Sequence, residues 1–258
     1  LMTSKELLSV TSQIGMMLLE NGAEIYRVED SVVRIAEAYG YKQGERFEIF
    51  AIPPTIIITV QSEDGTPLTI QRNTKTRVNN LDRVDRLNNL SRYICSEKPN
   101  FATVNNYISQ IKKRKTYPFY AVVISYAVIG ATFALFFGGG WREFIAGGII
   151  AAIICLIEKA VTQVRPSVFF MSLLCSLFTA TAAVLCCYFG LTNEYDSIII
   201  GAAMTLVPGV TITNCMRDFI AGDFIAGLYT LIEALLVATG MAVGAAFAIS
   251  TLTKLLGI

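Results

Sequence analysis

The chain has 258 residues, a net charge of +1, 53% hydrophobic residues and a mean hydropathy of +0.54. A near-neutral chain does not read as a nucleic-acid binder, which needs a clustered basic surface. The absence of histidine removes the commonest general base and metal ligand. The six cysteines form no CxxC or zinc spacing, so neither a metal site nor a cofactor is expected. Charged side chains crowd residues 1–117 and thin out over 118–258, where long apolar runs dominate. The composition therefore predicts a small cytoplasmic α+β domain over 1–117, followed by a multi-span α-helical membrane domain of about five spans over 118–258.

In chain order, residues 4–20 and 24–39 read as helices joined around Asn21–Gly22, a C-cap pair. Polar residues interrupt Leu7–Leu8 and Met16–Leu19, so no signal peptide is expected there. In the second helix Ile25, Val28, Val32 and Ile35 make an apolar face, and Glu24, Arg27, Glu29, Asp30 and Arg34 read as its solvated side. Strands are expected at Arg46–Ile52, Thr55–Gln61 and Pro67–Arg72, with a turn at Asp64–Gly65. Helices follow over Leu81–Cys95 and Phe101–Lys115. Glu24, Arg27, Glu29 and Thr74 would be the residues of a catalytic N-terminal domain, but they form no legible nucleophile-and-base set.

A span needs about 20 apolar residues to cross about 30 Å of hydrocarbon. Spans are expected near 118–137, 143–162, 167–189, 197–216 and 224–250. Gly138–Gly140 ends the first, and Trp141 reads as an interfacial anchor. Glu158 and Lys159 fall near the inner end of the second span and read as interfacial. Gly147/Ala151, Gly201–Ala202 and Gly240/Gly244 have the spacing of close helix packing in lipid. Lys112, Lys113, Arg114, Lys115, Lys159, Arg165 and Arg217 fall on one side of this pattern, and Arg142 and Lys254 on the other. The basic side is cytoplasmic, so the N-terminus is expected inside and, with five spans, the C-terminus outside.

The stretch Thr205–Gly227 carries the polar residues that need explaining. Pro208 lies about 16 Å inward from Ser197 at 1.5 Å per residue. Pro208 and Gly209 are expected to interrupt the helix near mid-bilayer, the arrangement by which transporters present backbone groups to a substrate; a simple proline kink is the alternative. Beyond the break, Thr211, Asn214 and Asp218 share one helical stripe, and Arg217, four residues after Thr213, suits a carboxylate through its planar fork. Arg217, Asp218 and Asp223 would otherwise be a solvated inner loop. Glu233 lies about 14 Å into the last span, where a carboxylate needs a proton or a partner. These positions divide into a candidate substrate site (Pro208, Gly209, Thr211, Asn214, Arg217) and candidate coupling or gating residues (Asp218, Asp223, Glu233). For Glu233 a purely structural, hydrogen-bonded role is the alternative.

Four segments together resemble the threonine/serine exporter family, and specifically the larger subunit of its split form. They are GAEIYRVEDSVVRIAEAYG (22–40), the strand pair around PPTIIITV (53–60), NNLDRVDRLNNL (79–90) and VPGVTITNCMRDFIAGDFIAG (207–227). The resemblance implies a secondary exporter in the plasma (inner) membrane of a prokaryote. It implies a cytosolic domain before the spans, and a smaller multi-span membrane subunit supplying the spans that single-chain members carry. It also implies an oligomeric assembly and small carboxylate-bearing substrates: threonine and serine, or C4-dicarboxylates such as succinate. A membrane-anchored enzyme, or a sensor whose activity sits in the N-terminal domain, is the alternative reading.

Overall fold

Helix α1 (Ser4–Glu20) is buried on most of its sides and joins a hydrophobic core, with Leu7, Ile14 and Leu18 fully buried. It starts with a reciprocal cap in which Thr3 N donates to Glu6 Oε2 at 2.8 Å and Glu6 N donates to Thr3 Oγ1 at 3.3 Å. Helix α2 (Ile25–Ala38) buries Val28, Val32 and Ile35 along one stripe. Strands β1 (Phe47–Ile52), β2 (Thr55–Gln61) and β3 (Pro67–Asn73) form an antiparallel sheet in the order β1-β2-β3. The period-2 alternation of β2 turns Ile56, Ile58 and Val60 inward. Helices α3 (Leu81–Glu97) and α4 (Phe101–Lys113) add Leu87, Ile94, Val104 and Ile108 to the same core.

The computed structural model describes residues 2–74, 78–114, 117–163 and 166–257. Lys115 and Arg165, two of the basic residues behind the expected orientation, lie outside the described residues. The chain divides into two compact units, one of residues 1–115 with 213–230, the other of 116–212 with 231–258. The boundaries fall inside helices α9 (Gly209–Ala221) and α10 (Phe224–Leu256).

The second unit is helical. Helices α5 (Phe119–Phe136), α6 (Trp141–Thr162) and α7 (Val168–Tyr188) match the expected spans 118–137, 143–162 and 167–189 to within two residues. Together with α10 they are four helices long and apolar enough to cross a membrane. Helix α10 has 33 residues and runs past the expected end at 250.

The stretch 197–216, where an interruption at Pro208–Gly209 is expected, holds two helices, α8 (Asp196–Ala203) and α9. At 1.5 Å per residue they measure about 12 and about 20 Å, so neither crosses about 30 Å of hydrocarbon. Pro208 lacks an amide hydrogen and its ring opposes the carbonyl four residues earlier. Helix α8 accordingly stops at Ala203, ahead of the proline, and tight turns follow: Leu206 N donates to Ala203 O at 2.8 Å and Gly209 N to Val207 O at 2.8 Å.

Small residues set the helix contacts, as their spacing suggested. A Cβ on Gly130 would lie 2.4 Å from Ala151 Cβ and 2.6 Å from Gly147 O. On Gly201 it would lie 2.5 Å from Ala134 N, so α5, α6 and α8 meet around Ala134. Gly240 and Gly244 bring α10 against Phe169 O and Leu173 O of α7, where Ser176 Oγ also donates to Met241 O at 2.7 Å. The outward surfaces of α5, α6 and α10 are apolar, with Ile124, Phe136, Ile149, Leu235 and Phe247 all exposed. Such surfaces are stable against lipid rather than water.

At the α6 N-terminus, buried Glu143 accepts from Gly140 N at 2.9 Å through Oε2 and from Asn193 N at 2.7 Å through Oε1. Glu158 accepts from Tyr126 OH at 2.7 Å. The half-buried Glu158 carboxylate is therefore held between α5 and α6, while Lys159 is exposed with its Nζ 3.4 Å from the Phe119 ring centroid.

Gly201→Val should lower the thermal midpoint of the purified protein, because overpacking against backbone costs about 1–3 kcal/mol. Gly209→Ala is the control, since its Cβ would meet no described atom within 4 Å, and its midpoint should not move.

Candidate functional site

Helix α9 buries Asn214, Cys215 and Asp218, while Val210, Ile212, Met216 and Ile220 are exposed together with Thr213 and Arg217. Buried polar residues beside exposed apolar ones are a pattern that hydrocarbon favours. The stripe read from the sequence is real for Asn214 and Asp218, and Thr211 on the same helix is half-buried.

The first unit supplies the partners of this buried face. Residues 21–24 form a short connection between α1 and α2, and Gly22 takes φ +86°, a left-handed value that favours glycine. A Cβ there would also lie 2.5 Å from Asn79 Oδ1. The connection is fastened from several sides: Val78 N donates to Glu20 O at 2.9 Å and Asn80 N to Asn21 O at 3.0 Å. With the loop so held, Asn214 Nδ2 donates to Gly22 O at 3.2 Å. Arg217 NH1 donates to Glu24 Oε1 at 2.5 Å.

Glu24 is the centre of the cluster. It is 6% exposed and begins α2, where the helix dipole favours an anion. Its second oxygen takes Arg27 Nε at 3.2 Å. One buried carboxylate is thus held between two guanidiniums, while the Arg217 side chain keeps 54% of its exposure. The reading of Glu24 and Glu29 as part of a solvated helix face does not hold: Glu29 Oε1 accepts from Ala51 N at 3.0 Å. Burial pushes the Glu29 carboxyl above its ordinary range, the Ala51 amide pulls the other way, and the nearby Asp223 adds to the rise. Burial also raises the Asp223 carboxyl.

Helix α9 ends at Gly222, φ +93°, with Asp223 N donating to Asp218 O at 2.9 Å. The chain turns at once into α10, and Phe219 lies against Gly227, where a Cβ would meet its ring at 2.8 Å. Of the sequence-derived site residues, Asn214, Arg217, Asp218 and Asp223 belong to the first unit, and Pro208, Gly209, Thr211 and Glu233 to the second. Glu233 is half-buried on α10. The sequence reading missed Gly22 and Glu24 as partners of α9. The signal was present: both lie in one of the segments that carry the family resemblance, and Asn214 and Arg217 lie in another.

The threonine/serine exporter (ThrE) family profile matches residues 9–252. The chain belongs to the threonine/serine exporter family. Among curated members, a probable threonine/serine exporter of Mycobacterium tuberculosis is 20% identical over 242 residues, covering 93% of this chain and 45% of that protein. The threonine/serine exporter of Corynebacterium glutamicum is 21% identical over 242 residues, 92% of this chain and 49% of its own length. This family member thus spans about half the length of those two relatives. The probable succinate transporter subunit YjjP of Escherichia coli is 23% identical over 240 residues, 92% of this chain and 91% of the subunit. No solved structure matches.

Two outcomes test the exporter-family site as drawn. Arg217→Ala and Glu24→Ala should each lower the thermal midpoint in detergent, and the double variant should lose no more than the worse single one. The coupling is expected at about 1–2 kcal/mol, between the exposed and fully buried ranges. Glu29→Gln keeps the acceptor for Ala51 N and removes ionisation. Because the folded pKa of Glu29 is raised, its protonated form favours the native state at low pH. That contribution is lost as pH rises through the folded value. Wild-type stability should therefore fall as pH rises from the ordinary carboxylate range through the raised folded value, in a way that Glu29→Gln flattens, with a higher midpoint for the variant above that range.

Proposed function

We propose that this chain is one half of a secondary exporter of small carboxylate-bearing metabolites, threonine and serine or C4-dicarboxylates such as succinate. The other half is a smaller multi-span membrane subunit. The observation that carries the reading is the interrupted α8–α9 pair, whose second helix keeps Asn214 and Arg217 on the folded protein and turns apolar residues outward. Broken helices are how many transporters present backbone and side-chain groups to a substrate inside the membrane. The name of one relative supports a partner chain: the chain covers 91% of a protein named a transporter subunit. Counting α8–α9 as one crossing with the four long helices gives five, an odd number. A second set joined to it would then run in the opposite sense, the inverted-repeat logic of secondary transporters. The N-terminus then lies in the cytoplasm of a prokaryotic cell and the C-terminus outside its plasma membrane.

In this mechanism the substrate carboxylate meets Arg217, with Asn214 ordering its hydroxyl or amino group; the alternative role of Arg217 is to steer anions to the entrance. Arg217 is already engaged by Glu24 through NH1, so the substrate carboxylate competes with Glu24 for the same guanidinium. Asp218, Asp223 and Glu233 act in coupling and gating, Glu233 through a change of protonation. Glu24 and Arg27, the residues a hydrolytic N-terminal domain would use, are committed to one another and to Arg217. Their engagement favours the transport reading over the enzymatic one.

Efflux of labelled threonine, serine and succinate from cells expressing both chains is the test. Arg217→Ala should raise the half-saturating concentration roughly ten- to hundred-fold, the loss of a charge-assisted hydrogen bond of about 1.5–3 kcal/mol. Glu24→Gln should lower it several-fold, because the competing carboxylate is gone. If Glu24→Gln leaves the half-saturating concentration unchanged, Glu24 does not compete with substrate. If Arg217→Ala transports normally, the carboxylate site lies elsewhere. Glu233→Gln should remove the pH dependence of efflux without lowering the amount of inserted protein.

A further inference from the structure

Helices α3 and α4 border an open cavity of about 750 Å³ within the first unit. Arg86, Lys113 and Arg114 supply cations to its wall, and Gln110 and Asn89 supply amides. Tyr93 and Tyr107 meet edge to face with centroids 5.4 Å apart along the same wall. No residue lining it is acidic.

The cationic wall is braced. Asp82 accepts Arg86 Nε at 3.2 Å on one oxygen and Arg114 Nε at 2.8 Å on the other. A single carboxylate therefore fixes the two guanidiniums side by side, each held by its Nε edge. Arg83 NH2 reaches the carbonyls of Lys112 and Arg114, both at 3.5 Å, which ties the end of α4 to α3. Against the three cations stand Asp82 and Asp85, the latter bonded to Asn89 Nδ2 at 3.2 Å, so the balance at the cavity remains positive. Neither the interrupted helix nor the Glu24 cluster uses any of these residues.

Arg114 precedes Phe119, the first residue of a candidate span, by five residues, which extend no further than about 18 Å. That tether bounds the distance from Arg114 to the start of the span. A pair of arginines presents planar forks matched to phosphate oxygens, and paired tyrosines suit the zone between headgroup and hydrocarbon. Leu90 and Ile111 line the cavity as well and offer apolar surface to a glycerol backbone.

We propose that the α3–α4 cavity binds the phosphate headgroup of an anionic phospholipid in the leaflet that faces the N-terminal domain. The chemistry recognised is a phosphate ester. The tether to the membrane favours a lipid over a dissolved phosphate, because a lipid is present there at high local concentration.

The test uses the full chain in nanodiscs of phosphatidylcholine, with and without phosphatidylglycerol, and inorganic phosphate added to phosphatidylcholine discs as a third arm. Hydrogen exchange over 86–93 and 107–114 reports occupancy. Phosphatidylglycerol should slow exchange in both segments, and inorganic phosphate should not. Lys113→Gln leaves the Asp82 brace intact and should weaken phosphatidylglycerol retention, read by native mass spectrometry, roughly five-fold, about the contribution of one basic side chain near a membrane surface. The Arg86→Gln, Arg114→Gln pair should abolish the protection, and the corresponding Arg→Lys pair should keep part of it. Equal exchange in the two lipid compositions would overturn the proposal. Equal protection by inorganic phosphate would overturn the lipid assignment in favour of a soluble phosphate ligand. Protection by phosphatidylglycerol that survives the double Arg→Gln change would place the lipid at another surface and overturn it too.

Discussion

The ion pair between Glu24 and Arg217 joins residues 193 apart in sequence, and much of the first unit is arranged so that it can form. A carboxylate this buried is unfavourable unless its charge is met. Here it is met from two sides, by Arg27 on its own helix and Arg217 on α9. Gly22 gives the preceding turn its left-handed backbone, and the Gly22 carbonyl receives Asn214 from the same face of α9. The segments after β3 then tie the turn in place through Glu20 and Asn21. Removing Arg217 would leave the buried Glu24 with Arg27 as its remaining cation, and removing Asn214 would take one donor from the Gly22 carbonyl.

Most of the secondary structure was legible because it is local. Ser4–Glu20 starts on a cap written in Thr3 and Glu6, and the β2 strand is a β-branched run bounded by turns, burying every second residue at Ile56, Ile58 and Val60. Three of the four long apolar helices start and stop close to where composition changes. The interruption expected at Pro208–Gly209 is present, and it opens earlier, with the helix ending at Ala203, because a proline disturbs the turn before it. One boundary has a tertiary cause. The apolar run from Phe224 gave no sign that its first residues, with Ala226 buried in the hydrophobic core of the N-terminal residues, belong with residues 1–115.

The candidate site was half legible, for a physical reason. A helical stripe can be read from spacing, so Thr211, Asn214 and Asp218 stood out, with Arg217 beside them. The burial of Glu24 could not be read, because a charge on a helix looks solvated until the chain returns nearly two hundred residues later to cover it. Lipid-facing helices invert the usual inference from polarity. Among their residues, the ones to examine are those that fail to be apolar, and on α9 they are the ones that touch the rest of the protein.

Glu143 marks a place where the choice of side chain is nearly forced. Each of its two oxygens receives a different backbone amide, one from Gly140 and one from Asn193. Glutamine would swap one acceptor for a donor and set N–H against N–H. Aspartate is a methylene shorter and would have to give up one of the two reaches. Neutral, shortened and inverted versions of the group all lose something, so the loops before α6 and before α8 are held together by chemistry that one residue type alone satisfies. Where a protein built on this scaffold lacks glutamate at this position, at least one of those two loops must follow a different path.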